Sequence, residues 1–232
     1  MFRLALPAIV LLALLPNTPA ADPKVIEPFN GKDLTGWKAK EEKKNAWVIG
    51  VAGYNPDTNP KVLSVGTPGP KNDLVNNLTG TKPSSDLYTV EKFGDILVEL
   101  EFMIPKGSNS GVYLMGEYEV QILDSYGKEK VGPGDLGGIY NTAAPKVNAS
   151  KKPGEWQKFV IDFQAPKFEG EKKTVNGKFI KVTLNDQVIH ENVELKSQTP
   201  GGLTGKEVPT GPLMFQGDHG PVAFRNIKIT KK

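Results

Sequence analysis

Beyond its first twenty or so residues, this sequence predicts an all-β protein, a sandwich or barrel of antiparallel strands. Three observations carry that prediction. No window of 11 or more residues keeps apolar side chains at a 3.6-residue spacing, so no amphipathic helix is expected. Short runs alternate apolar and polar residues with period two instead, the pattern of a strand with one face buried. Turn-forming residues, among them 25 glycines and 19 prolines, punctuate those runs throughout.

The chain opens differently. Arg3 precedes an almost unbroken apolar run over residues 4–15, interrupted by Pro7; Pro16 ends it, and the small residues Thr18, Ala20 and Ala21 follow. Positive start, apolar centre and small-residue exit form a secretory signal over residues 1–21, with cleavage after Ala20 or Ala21. An apolar run of about 12 residues falls short of the roughly 20 that a spanning helix needs, so no membrane span is expected after its removal. A secreted or periplasmic protein is expected. There is no cysteine, hence no disulfide framework and no lipid-carrying cysteine. Residues 22–232 fit a single domain, long enough to bury its own core. The net charge is +3, from 29 basic and 26 acidic residues scattered along the chain. A nucleic-acid partner would need a clustered basic face, and none is present.

The strands come in order. Over residues 95–102, Ile96, Val98, Leu100 and Phe102 oppose Asp95, Leu97, Glu99 and Glu101. Over residues 118–122, Tyr118, Val120 and Ile122 oppose Glu117, Glu119 and Gln121. Further strands are predicted over 47–51, 111–115, 156–163, 179–184, 187–191, 213–216 and 222–230. Asn176-Gly177 and Asn185-Asp186 suit two-residue hairpin turns. Residues 53–82, rich in Pro, Gly and Asn, read as a long surface loop of the kind that binds or covers a site.

Three clusters carry candidate chemistry. In the first, which runs from Asn109 and Ser110 to Asp124, Glu117, Glu119 and Gln121 share one strand face, each about 6.5–7 Å from the next. Paired carboxylates at such distances can act as acid and base, because repulsion raises one pKa. The same alternation also describes the solvated face of an antiparallel sheet. The second cluster is Gln216-Gly217-Asp218-His219-Gly220, followed by Arg225; its histidine sits between glycines, where it can approach a ligand or remain an ordinary turn residue. His190, in an alternating hairpin strand, reads as an exposed sheet residue. The two histidines lie too far apart for a zinc spacing, whereas a divalent metal held by Glu and Asp oxygens is compatible with the residues present. The third cluster is Gly137-Gly138-Ile139-Tyr140-Asn141, where Tyr140 offers a ring and a hydroxyl. Trp47 and Trp156, in predicted strands, read as core.

Taken together and in order, these pieces resemble the bacterial 3-keto-disaccharide hydrolase family. The resemblance runs from Phe29-Asn30-Gly31-Lys32-Asp33-Leu34-Thr35-Gly36-Trp37 to the last strand. It includes Asn109-Ser110-Gly111, Tyr118-Glu119-Val120-Gln121-Ile122-Leu123-Asp124, Gly138-Ile139-Tyr140, Gly154-Glu155-Trp156, and Asp218-His219-Gly220 ahead of Phe224-Arg225-Asn226-Ile227. Three positions depart from the family pattern: Met115 stands where an arginine is common, Gly217 is an additional glycine, and Gln157 follows Trp156 in place of asparagine.

The resemblance implies a jelly-roll β-sandwich of two antiparallel sheets, concanavalin A-like. It also implies a carbohydrate substrate, cleavage of 3-keto-glycosides by elimination and hydration, and a functional link to a sugar 3-oxidoreductase. On that reading Glu119 is the base or a metal ligand and His219 the acid or enolate stabiliser. Asn109, Ser110, Gln121, Asp124, Tyr140, Gln216 and Arg225 bind the sugar. A non-catalytic carbohydrate-binding module of the same fold is the alternative. A laminarinase-type glycosidase ranks lower, since its Glu-x-Asp-x-x-Glu strand is missing.

Overall fold

Strict alternation over residues 96–102 places every second side chain of one strand in the core: Ile96, Val98, Leu100 and Phe102 are each no more than 1 % exposed. The structure is a computed structural model that describes residues 24–76 and 84–232. The predicted signal segment therefore lies outside the described residues. Within them, the single helical element is a 3-10 turn at Glu42–Lys44.

Among the described residues, sixteen strands follow in chain order: β1 (Val25–Ile26), β2 (Trp37–Ala39), β3 (Trp47–Gly53), β4 (Ser64–Gly66), β5 (Asp73–Asn76), β6 (Leu87–Thr89), β7 (Ile96–Met103), β8 (Asn109–Leu114), β9 (Tyr118–Leu123), β10 (Gln157–Gln164), β11 (Lys167–Glu169), β12 (Lys172–Val175), β13 (Gly177–Leu184), β14 (Gln187–Leu195), β15 (Met214–Phe215) and β16 (Val222–Lys231). The larger sheet runs β14-β13-β10-β7-β16-β5-β3-β4, with β1 also on β16; the smaller runs β2-β6-β15-β8-β9. All pairings are antiparallel. The two sheets form a sandwich, as expected.

An aromatic spine joins the sheets. Phe215 of the smaller sheet stacks on Phe224 of the larger at 3.9 Å between ring centroids. Trp37 extends the stack on one side at 5.3 Å and Trp47 on the other at 6.1 Å. Each such buried ring contributes about 1.5–3 kcal/mol through the apolar surface it removes from water. Trp47 is thus core, and its indole Nε1–H donates to the Ser85 carbonyl at 2.7 Å.

Several local expectations are corrected. Residues 53–82 are not one surface loop: β4 pairs with β3, and the fully buried β5 lies between β3 and β16. Asp73-Leu74-Val75-Asn76 is too short, and too polar at its ends, to register as a period-two strand. Asn176-Gly177 is not a hairpin turn, since Gly177 opens β13; the nearby turn is at Gly170, with φ +60°. Asn185 and Asp186, at φ +51° and +65°, do form the tight β13–β14 turn. His190 is not an exposed sheet residue. It is 2 % exposed and hydrogen-bonds through Nε2 to the Gly137 carbonyl at 2.7 Å, and burial lowers its pKa. Trp156 lies just ahead of β10 rather than within a strand.

Candidate active site

On β8 and β9 both strand faces are buried, for two different reasons. Val112, Leu114, Tyr118, Val120 and Ile122 enter the core of the sandwich. The alternate residues, Asn109 and Tyr113 on β8 and Glu119 and Gln121 on β9, line a cavity of about 200 Å³ on the other face. Tyr140, Pro200, Gly201, Gln216 and His219 complete its wall. The solvated-face reading of Glu119 and Gln121 is therefore set aside: they are 2 % and 4 % exposed.

Three loops raise the wall around this face. Residues 137–140 run along the free edge of β9, with Gln121 N–H donating to Gly138 O (2.9 Å), Gly137 N–H to Gln121 O (2.8 Å) and Tyr140 N–H to Glu119 O (3.2 Å). The 199–205 loop is tied to the same strand, the Glu119 N–H donating to Thr199 Oγ1 at 2.9 Å. The third loop carries Asp218-His219. Its Gly217 runs so close to Ser85 that a Cβ there would sit 2.1 Å from the Ser85 carbonyl oxygen. That close passage accounts for the additional glycine.

Glu119 is the chemical centre of the cavity. Register places it opposite Tyr113, and Gly111 opposite Gln121. A Cβ on residue 111 would lie 2.2 Å from Glu119 Oε1, so the missing side chain makes room for the carboxyl group. Burial, with the Asp86 and Asp218 charges adding to it, pushes the Glu119 pKa up to about 8, while the Tyr113 hydroxyl partly offsets the rise. The Tyr113 phenol, itself buried beside Glu119, is held far above its ordinary range.

Four polar oxygens of the wall have no hydrogen-bond partner: Asn109 Oδ1, Glu119 Oε1, Gln121 Oε1 and Gln216 Oε1. Leaving a buried polar group unpaired costs about 1–3 kcal/mol. Four on one wall therefore mark a surface shaped for a ligand rich in hydrogen-bond donors. At the rim, His219 is 49 % exposed, and its Nδ1 lies 2.5 Å from Asp218 Oδ1. With Nδ1–H donating to that carboxylate, Nε2 is left free to accept a proton.

Of the residues singled out in the sequence, Asn109, Glu119, Gln121, Tyr140, Gln216 and His219 meet at this cavity. Ser110 does not: it is fully buried and donates to the Gln216 carbonyl at 2.8 Å, holding β8 to β15. Asp124 does not either; its Oδ2 accepts from Gly107 N–H at 2.8 Å at the end of the hairpin. Arg225 is on the larger sheet, stacked on Trp156 at 3.9 Å from the ring centroid and bonded through Nε to Glu101 Oε2 at 2.7 Å. Glu117 precedes β9 and does not share a face with Glu119. Its carboxylate accepts from Thr204 N (2.8 Å), Thr204 Oγ1 (2.7 Å) and Gly205 N (3.0 Å), fixing the 199–205 loop. Met115, in the β8–β9 turn at φ +56°, is buried in the core and faces away from the cavity. Tyr113, Pro200 and Gly201 were not foreseen. For Tyr113 the signal was available, since it alternates with Gly111 and Asn109. Among the described residues, no group of three or more His, Asp or Glu is arranged to hold a metal ion.

The fold and site together are a β-sandwich with a small polar cavity walled by a carboxyl group, amides and tyrosines. The chain belongs to the family of the 3-keto-alpha-glucoside-1,2-lyase-like domain, matched over residues 24–230. It is similar to a protein from Parabacteroides distasonis, provisionally assigned as a glycosyl hydrolase. The two are 27 % identical, with 90 % of this chain and 84 % of that one covered at a TM-score of 0.66. Two further Parabacteroides distasonis proteins of the same provisional assignment share the fold. One is 19 % identical, with 90 % and 94 % covered at a TM-score of 0.59. The other is 22 % identical, with 84 % and 99 % covered at 0.52. No curated protein matches the chain.

Proposed function

We propose that the protein is an exported enzyme that cleaves glycosides carrying a ketone at carbon 3 of the sugar. The observation that carries this reading is the Glu119 cavity: a carboxyl group held protonated near neutral pH among unpaired oxygens that suit a polyhydroxylated ring. Family membership supports the same chemistry.

The ketone acidifies the hydrogen on carbon 2. A base removes that proton, and the C–H electron pair moves into an enolate. The enolate collapses to restore the ketone, forms a C1–C2 double bond and expels the C1 oxygen, which must take up a proton to leave as an alcohol. Addition of water across the double bond makes the outcome a net hydrolysis.

The side chains fit these roles in the reverse of the order the sequence suggested. With its pKa raised to about 8, Glu119 is mostly protonated at pH 7 and is the general acid for the departing oxygen. His219, with Nδ1 toward Asp218, is the base. The amide groups of Asn109, Gln121 and Gln216 hold the sugar hydroxyls and the enolate oxygen, and Tyr140 covers the ring at the rim. The assay is incubation of the protein with an aryl 3-keto-glucoside beside the unoxidised glucoside, with and without EDTA. Aryl alcohol released from the keto sugar alone supports the proposal. Saturable binding without release would instead make the cavity that of a carbohydrate-binding module.

A further inference from the structure

The turn that presents His219 is held from beneath by a residue that touches no part of the cavity. Asn76, the last residue of β5, is fully buried. Its Nδ2 donates to two carbonyls at once, Gly217 O at 2.7 Å and Gly220 O at 2.9 Å. Those carbonyls flank Asp218-His219 on either side. The donors of one side-chain amide thus close a ring around the two residues and set the width of the turn at its base.

Two further contacts hold the same turn. Asp86 Oδ1 accepts from Gly217 N–H at 3.1 Å. Ser108 Oγ donates to Pro221 O at 2.6 Å, and a Cβ on Gly220 would lie 2.5 Å from that hydroxyl. The half-exposed tip therefore stands on a buried polar base, an arrangement suited to holding a reactive group in one orientation. A turn needed only to join β15 to β16 would not require both of its flanking carbonyls to be fixed by one buried amide.

We infer that Asn76 is a positioning residue for the Asp218–His219 pair, acting on the reaction through the backbone of residues 217–220. The inference rests on the proposed role of His219, but the clamp itself can be tested without turnover. Asn76→Leu removes both donors while keeping the branched side-chain skeleton, at the cost of a somewhat bulkier group. Should that variant fail to fold, Asn76→Asp keeps the shape and removes the amide donors.

Two measurements separate the possibilities. Hydrogen exchange read by mass spectrometry should show the peptide containing residues 217–220 exchanging at least about tenfold faster in the variant, with β10 peptides unchanged. Uniform change across both peptides, or none in either, overturns the clamp. In turnover of the aryl 3-keto-glucoside, the variant should lose on the order of 10- to 100-fold in kcat with KM within about twofold. The same substitution in a His219→Ala background should cost nothing further, because its effect passes through His219. Equal losses in both backgrounds would make Asn76 a purely structural residue and overturn the inference. Loosened exchange in a protein whose wild type releases no aryl alcohol would leave the clamp standing and sink the proposed reaction.

Discussion

Tyr113 and Glu119 face each other across the β8–β9 ladder, and both side chains point away from the sandwich core into the same cavity. Between their strands, the bare Cα of Gly111 leaves the space into which the Glu119 carboxyl group turns. An otherwise ordinary hairpin thereby holds an acid away from water.

The raised pKa of Glu119 makes both activity and stability depend on pH. If the protonated form is the acid, kcat/KM of the free enzyme should fall as pH rises through about 8. Glu119→Gln should lose at least about 100-fold in kcat and show no such alkaline limb. Stability follows from the same shift. The folded state holds this proton up to about pH 8, whereas an unfolded glutamate releases it near its ordinary value of 4.5. The stabilising contribution is full below pH 4.5 and is lost as pH rises to about 8. Glu119→Gln should therefore raise stability at pH 8 relative to wild type by on the order of a few kcal/mol, seen as a higher thermal midpoint, and change it little at pH 4. Denaturation scans at the two pH values check this.

Gly111→Ala places a methyl group 2.2 Å from Glu119 Oε1. The carboxyl group must move, so turnover should fall at least about tenfold while the thermal midpoint drops by a few degrees at most. A crystal structure of the variant should show Glu119 displaced. Unchanged activity would mean that its position is not critical.

His219 and Asp218 are half-exposed, so replacing them should cost little stability. His219→Ala should reduce kcat by about 100- to 10,000-fold, and Asp218→Asn by less, since it removes only the group that orients the ring. Thermal midpoints within about 2 °C of wild type would show that the loss is chemical.

Arg225 should behave in the opposite way. Its guanidinium lies on Trp156 and pairs with Glu101, away from the cavity. Arg225→Ala should lower stability by about 1–2 kcal/mol and leave KM for a 3-keto-glucoside within about twofold. A large rise in KM would return Arg225 to the binding site.

How much of this was legible in the sequence depends on whether a residue acts through its neighbours along the chain or across it. The period-two runs of β7 and β9 disclosed which side chains enter the core, because strand geometry alone sends alternate residues to opposite faces. Asn185-Asp186 disclosed its turn, because two successive left-handed residues favour Asn and Asp. Glu119, Gln121 and Tyr140 stood out by their pattern, and the loops then proved to gather them at one cavity. Glu117 shows the limit. It falls in phase with Glu119 on paper, but the left-handed Met115-Gly116 turn brings it out of the ladder and onto the 199–205 loop.

The sequence by itself determined the fold class, the core faces of the long strands and the family, since these rest on local spacing and ordered motifs. The tertiary structure decided which polar residues share a wall, that Arg225 and Asp124 stand apart from it, and that the Glu119 carboxyl group is buried with its pKa raised. The physical reason is that a pKa and a hydrogen-bond partner are set by burial and by charges from distant parts of the chain, here Asp86 and Asp218 around Glu119.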